Sequence, residues 1–136
     1  MTVPVSAREA ARLAQAAASD PGLLGCWVDA SAGSGKTKVL TDRVLRLLLR
    51  EDQKAGRILC LTFTKAAAAE MANRINDRLS KWAVQPDDDL VDNLYALTGA
   101  RPSADQVTAA RRLFARVLVG TDARIGVSIS TVSGMR

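Results

Sequence analysis

Apolar positions along this chain follow two rhythms. The first is helical: Val39, Leu40, Val44, Leu47 and Leu48 recur on one face, Met71, Ile75, Leu79 and Trp82 on another, and Val107, Ala110, Phe114, Val117 and Leu118 on a third. These patterns predict helices over about 36–49, 65–83 and 103–118. Two more are expected, one over 10–18 behind the capping-box spacing of Ser6 and Glu9, and a short one over about 89–97. The second rhythm is that of strands. Residues 25–30 and 57–63 are short apolar runs, and 127–131 alternate apolar with polar. Ser19-Asp20-Pro21-Gly22 reads as a turn, 51–56 as a polar connector, and 85–89, with Pro86 and three aspartates, as a loop leading into a helix.

Strand, helix, strand, helices, strand is the order of an α/β domain with a parallel sheet of about three strands flanked by helices. The continuous run 57–63 is what a strand buried on both faces requires. Cys26 and Cys60 fall inside predicted strands, where a free thiol behaves as a small buried hydrophobe.

Between the first strand and the helix at 36 lie Ala30, Ser31, Ala32, Gly33, Ser34, Gly35, Lys36 and Thr37. A strand, a glycine-containing turn and a helix in that order make a phosphate-binding loop. Small residues let successive backbone N–H groups curl around an anion, and the helix N-terminus adds partial positive charge. Lys36 is placed to reach the β- and γ-phosphates, and the Thr37 hydroxyl to ligate Mg²⁺. The usual pattern opens with Gly where this chain has Ala30; Gly33 and Gly35 keep the positions where a positive φ or a close phosphate approach is needed.

Composition narrows the class without naming a function. The 136 residues suit one domain, and 48% apolar with 24% charged residues is the balance of a soluble globular protein. No apolar run is long enough to cross a bilayer, and the N-terminus lacks the apolar centre of a signal peptide, so the expected compartment is the cytoplasm and no membrane partner is expected. The absence of His and of clustered Cys gives no zinc site. A net charge of +5 leans toward a polyanionic partner. Arg101, Arg111, Arg112, Arg116 and Arg124 carry much of it, and either a solvated helix face or a nucleic-acid footprint accounts for them. The Asp87-Asp88-Asp89 triplet reads as a solvated helix start rather than a metal site.

A second motif follows the strand at 57–63. Thr62, Phe63, Thr64 and Lys65 run straight into Ala66-Ala67-Ala68-Ala69-Glu70-Met71, at the carboxyl edge where open α/β sheets bind ligands. Hydroxyls and a lysine suit phosphate oxygens, and Phe63 is either a base-stacking ring or a core residue.

Taken together, the stretch from Ala30 to Thr37 (helicase motif I) and that from Leu61 to Met71 (motif Ia) resemble the N-terminal part of UvrD/Rep-type superfamily 1 DNA helicases. Within these, the chain is most similar to the AddA components of bacterial helicase–nucleases that repair double-strand breaks. Ala18-Ser19-Asp20-Pro21, 58–66 and Arg111-Arg112-Leu113-Phe114-Ala115-Arg116 carry the AddA-like character. The resemblance implies a partial P-loop NTPase (RecA-like) domain, residues 1–136 being the leading part of the ATP-binding 1A domain and stopping before the Walker B strand. It implies ATP and Mg²⁺ as cofactors, with Gln15 in the adenine-reading Q-motif position. Ala30 through Lys36 would hold the phosphates and Thr37 the Mg²⁺. It also implies contact of Thr62, Phe63, Thr64 and Lys65 with single-stranded DNA, and, as partner, the second component of a helicase–nuclease. By itself Gln15 is equally an exposed helix glutamine.

The resemblance breaks in two places. Ser133 stands where the family carries His at the end of its third strand. Hydrolysis needs an acidic pair on a later strand and an arginine for the transition-state charge, and Asp87 to Asp89 follow no apolar strand. The expectation is therefore a chain with no complete catalytic set, Lys36 stabilising phosphate, inactive in isolation as a helicase. A small stand-alone P-loop phosphotransferase and a remnant polypeptide with no function of its own are the alternatives.

Overall fold

The computed structural model describes residues 6–22, 25–26, 35–50, 58–119 and 128–131. Through them run α1 (Ala7–Ala18), α2 (Lys36–Leu48), β1 (Leu59–Thr62), α3 (Lys65–Val84), α4 (Asp87–Thr98), α5 (Ala104–Val119) and β2 (Ser128–Thr131).

The twenty-residue helix α3 is the hub, packing against α2, α5 and both strands. Its buried face is Met71, Ile75, Leu79 and Trp82, the stripe that the periodicity predicts. Thr64 starts it, the hydroxyl oxygen accepting from Ala67 N at 3.1 Å. It stops at Gln85, which is extended, as a residue before proline must be. Pro86 then opens α4, whose first turn holds Asp87, Asp88 and Asp89, acids that favour a helix N-terminus. The predicted loop therefore ends two residues earlier than expected, and the triplet is helical. Gly99, at φ 75, closes α4 in the left-handed conformation that glycine adopts freely. A reciprocal capping box opens α5: Gln106 N donates to Ser103 Oγ at 3.2 Å, and Ser103 N to Gln106 Oε1 at 2.9 Å.

The core gathers Val44, Leu45 and Leu48 of α2 with the α3 stripe, Leu90, Leu94 and Leu97 of α4, and Ala110 and Leu113 of α5. Leu45 and Leu113 fill places that the pattern assigned to Leu40, which is exposed, and to Val107 and Phe114, which are partly buried.

The expected strands fare unequally, and the burial expected of Cys26 and of residues 57–63 needs correction. β1 and β2 pair in parallel, Leu59 beside Ser128 and Thr62 beside Thr131. Among the described residues this is the whole sheet, so one of about three strands is not confirmed. Gly25 and Cys26, at the start of the first predicted strand, carry no strand structure, and residues 27–30 lie outside the described residues. Cys26 is exposed rather than buried. Finally, β1 is covered on one face only: Ile58 and Cys60 enter the core, while Leu59 and Leu61 are 62% and 57% exposed. A one-sided covering of this kind leaves alternate residues in solvent whatever their hydropathy.

Candidate functional site

The predicted nucleotide site begins where α2 begins. Gly35 is its N-cap, at φ 96 and ψ 17, a conformation that a Cβ disfavours. A Cβ would also crowd Gln15: on Gly35 it would stand 2.8 Å from Nε2 of Gln15 and 3.6 Å from its Cδ, so that the end of the Gln15 side chain would have to shift. The structure thus brings Gln15, half-buried on α1, against the last residue before Lys36 and Thr37. Helices α1, α3 and α5 each receive a side-chain oxygen at the N-terminus, from Ser6, Thr64 and Ser103. By contrast, α2 has no side-chain cap and no acid in its first turn. Among the described residues, then, no side chain caps its leading N–H groups, and its dipole there favours an anion. Lys36 and Thr37 are exposed there. Lys38 is committed elsewhere, to the buried Asp42 at 2.6 Å, which Arg78 also approaches at 3.7 Å. Ala30, Ser31, Ala32, Gly33 and Ser34 lie outside the described residues, as does Ser133.

The end of α1, the helix that carries Gln15, is met by a set of arginines that sequence reading missed. Helix α1 buries no side chain and has no basic residue in its last turn to satisfy its final carbonyls. Arginines of α2 do this instead. Arg43 Nη1 donates to Asp20 O at 2.7 Å and to Ala18 O at 3.3 Å. Arg46 Nη1 donates to Ala16 O and Ser19 Oγ, both at 3.1 Å, with Asp20 Oδ1 3.6 Å from Nη2. Arg50 reaches Pro21 O at 3.4 Å. The available signal was a pair of facts: a helix ending without a cation, and Arg43 and Arg46 on one face of the next, with Arg50 just past its end.

At the second motif, two of four residues serve the fold. Thr62 Oγ1 donates to Thr64 O at 3.1 Å, and Thr64 caps α3. Phe63 and Lys65 point elsewhere. Phe63 is 89% exposed, which removes the core reading of its ring, and Lys65 is exposed at the first position of α3.

The basic residues divide as well. Arg111 satisfies the end of α3, donating to Gln85 O at 2.8 Å and Trp82 O at 3.2 Å while pairing with Asp87. Arg101, Arg112 and Arg116 are exposed, and Arg124 is outside the described residues. Burial pushes the Cys60 thiol above its usual pKa and so keeps it protonated and inert. Among the described residues no group of three or more His, Cys, Asp or Glu is placed to hold a metal ion, and no helix is long and apolar enough to cross a membrane. A cleft of about 320 Å³ between α2, α3 and α4, with Lys38, Asp42, Arg78 and Trp82 in its wall, includes none of the predicted site residues.

Comparison with known proteins agrees with the motifs. The family described as UvrD/REP helicase N-terminal domain matches residues 12–129, a span that holds Gln15 and both motifs. The AddA-type ATP-dependent helicase/nuclease protein of Syntrophomonas wolfei is 55% identical over 49 residues, 36% of this chain and 4% of that protein. Its counterpart of the same name in Bacillus mycoides is 50% identical over 56 residues, 40% of this chain and 4% of its own length. DNA helicase II of Haemophilus influenzae is 52% identical over 54 residues, 40% of this chain and 7% of that one. The chain thus spans a small fraction of the curated relatives it matches. No solved structure matches it.

Proposed function

This chain belongs to the UvrD/REP helicase N-terminal domain family, and from that premise we propose that it holds Mg·ATP and contacts single-stranded DNA as the leading part of a superfamily 1 helicase ATP-binding domain. Its employment is in the cytoplasm, in double-strand-break repair beside the second component of a helicase–nuclease. The reading as a small phosphotransferase has no comparable support, since the family match runs over residues 12–129.

One observation carries the ATP reading. Gln15 stands against Gly35, directly before Lys36 and Thr37, at a helix N-terminus that the protein leaves uncapped. A glutamine amide offers one donor and one acceptor, which match the N7 and N6 edge of adenine and mismatch the two acceptors of guanine. Lys36 puts a compact positive charge where the β- and γ-phosphates would lie. Ala30 through Ser34 complete the loop in this reading. The Thr37 hydroxyl is a hard oxygen donor of the kind Mg²⁺ takes, with phosphate and water oxygens filling the remaining places. The ion itself neutralises phosphate charge.

The same chain is proposed to hold ATP without turning it over. Water needs an acidic group to polarise it, and Asp87, Asp88 and Asp89, on the first turn of α4 with Asp87 on Arg111, are not read as that group. For DNA, the exposed ring of Phe63 beside Lys65 supplies a stacking face and a phosphate contact, with Thr62 and Thr64 shaping the corner.

Titration of fluorescent ATP in Mg²⁺ tests the reading. Lys36→Ala should weaken binding about 10- to 100-fold, the worth of a charge-assisted contact to phosphate. Equal binding by the two proteins would overturn it.

A further inference from the structure

Helix α1 buries no side chain, yet it carries Gln15. The polar anchors described between it and α2 lie at its carboxyl end, where Arg43 and Arg46 of α2 donate to the carbonyls of Ala16, Ala18 and Asp20 and to the Ser19 hydroxyl. Ser19 is itself buried, and its hydroxyl donates back to Ala16 O at 2.9 Å, so the last turn of α1 is closed on both sides. The two arginines belong to the helix that begins with Lys36 and Thr37. The element that would hold the phosphates therefore also grips the element that would read the base.

We infer that Arg43 and Arg46 are positioning residues for base recognition: they fix α1 on α2 so that Gln15 sits over Gly35 in register with Lys36 and Thr37. The inference rests on the ATP reading proposed above. In this reading neither arginine acts on the nucleotide directly. Each acts on the carboxyl end of α1, and each meets two acceptors there from Nη1 alone. Lysine at either position would keep the charge and its donors on a shorter stem.

The test compares the wild-type chain with Arg43→Met, Arg46→Met, the double variant and Arg43→Lys. Displacement of fluorescent ATP by ATP, GTP and inorganic tripolyphosphate, all with Mg²⁺, separates base reading from phosphate holding. In the double variant the preference for ATP over GTP should fall about tenfold, the worth of a misplaced base-edge pair, while tripolyphosphate binds as before. Arg43→Lys should keep part of the preference. Hydrogen exchange should show α1 amides opening at least about tenfold faster and α3 amides unchanged, because local opening follows local contacts. That pattern separates a tether from general unfolding, since α1 contributes nothing to the core.

An unchanged preference for ATP in the double variant, or unchanged exchange in α1, overturns the positioning role and leaves the ATP reading intact. A wild-type chain that binds tripolyphosphate but does not distinguish ATP from GTP also overturns it. Failure of the wild-type chain to bind any of the three overturns the ATP reading itself, and the inference with it.

Discussion

Replacing Arg111 by methionine should destabilise the chain far more than neutralising the aspartate it pairs with. Methionine keeps the aliphatic stem and removes the fork. In the structure that fork donates to Gln85 O at 2.8 Å, Trp82 O at 3.2 Å and Ala83 O at 3.4 Å, and to Asp87. The three carbonyls belong to the end of α3, where the chain turns extended before Pro86 and the ordinary ladder runs out. Loss of a charged donor to such carbonyls costs about 1.5–3 kcal/mol, and loss of the favourable cation at a helix C-terminus roughly 0.3–1 kcal/mol more. Asp87 is 77% exposed against 30% for Arg111, so solvent screens the ion pair itself, and Asp87→Asn should cost no more than about 1 kcal/mol.

Urea unfolding followed by far-ultraviolet circular dichroism decides between these terms. With a slope of about 1–2 kcal/mol per molar for a chain this size, Arg111→Met should lower the midpoint by roughly 1–4 M and Asp87→Asn by no more than about 1 M, at most a little over half as much at the same slope. The double variant should match Arg111→Met within error. Equal losses for the two single variants would refute the reasoning, because the ion pair would then be what Arg111 is for. So would an unmoved midpoint for Arg111→Met joined to weaker DNA binding, which would return this arginine to a nucleic-acid footprint.

Two further outcomes are expected. Gly35→Ala should lose about 1–2 kcal/mol in urea unfolding from the left-handed backbone alone, and should also blunt the preference for ATP over GTP by pushing Gln15 aside; adding Gln15→Ala should relieve the crowding without restoring the stability, and full recovery of stability would show that the contact, not φ, was the cost. Phe63→Ala should weaken binding of a labelled oligo-dT about tenfold in fluorescence anisotropy, as loss of one stacked base does, with the urea midpoint unmoved because the ring is exposed; unchanged DNA binding would remove Phe63 from the interface.

The helices were legible from the sequence because periodicity is a local property. The stripe Met71, Ile75, Leu79 and Trp82 needs only that one side of a helix meet something apolar, and α3 lies where it does. The strands were less legible. An apolar run says that its residues favour burial, not whether a layer exists to cover them, and Leu59 and Leu61 are the consequence. Arg111 and Arg112 are indistinguishable in sequence, yet one caps α3 and the other faces solvent. Which one turns inward depends on where α3 stops, and that is fixed by Pro86, far along the chain from either arginine.

The candidate site was half legible for a related reason. Gln15, Gly35, Lys36 and Thr37 belong to motifs because the chemistry of base and phosphate demands particular side chains at particular spacings. Arg43 and Arg46 bond mostly to backbone carbonyls, which any residue at 16, 18 or 20 would supply, so apart from Ser19 and Asp20 beside Arg46 the partners leave no mark in the sequence. The division has a consequence for how the molecule responds to change. The core of α2 to α5 rests on apolar contacts that ignore ionic strength, whereas α1 rests on charged donors in partly solvated places. Conditions that weaken the second kind of contact should loosen α1 before they disturb α3. On the proposed ATP reading, loosening of that order would let base selectivity fade while phosphate holding and the fold persist.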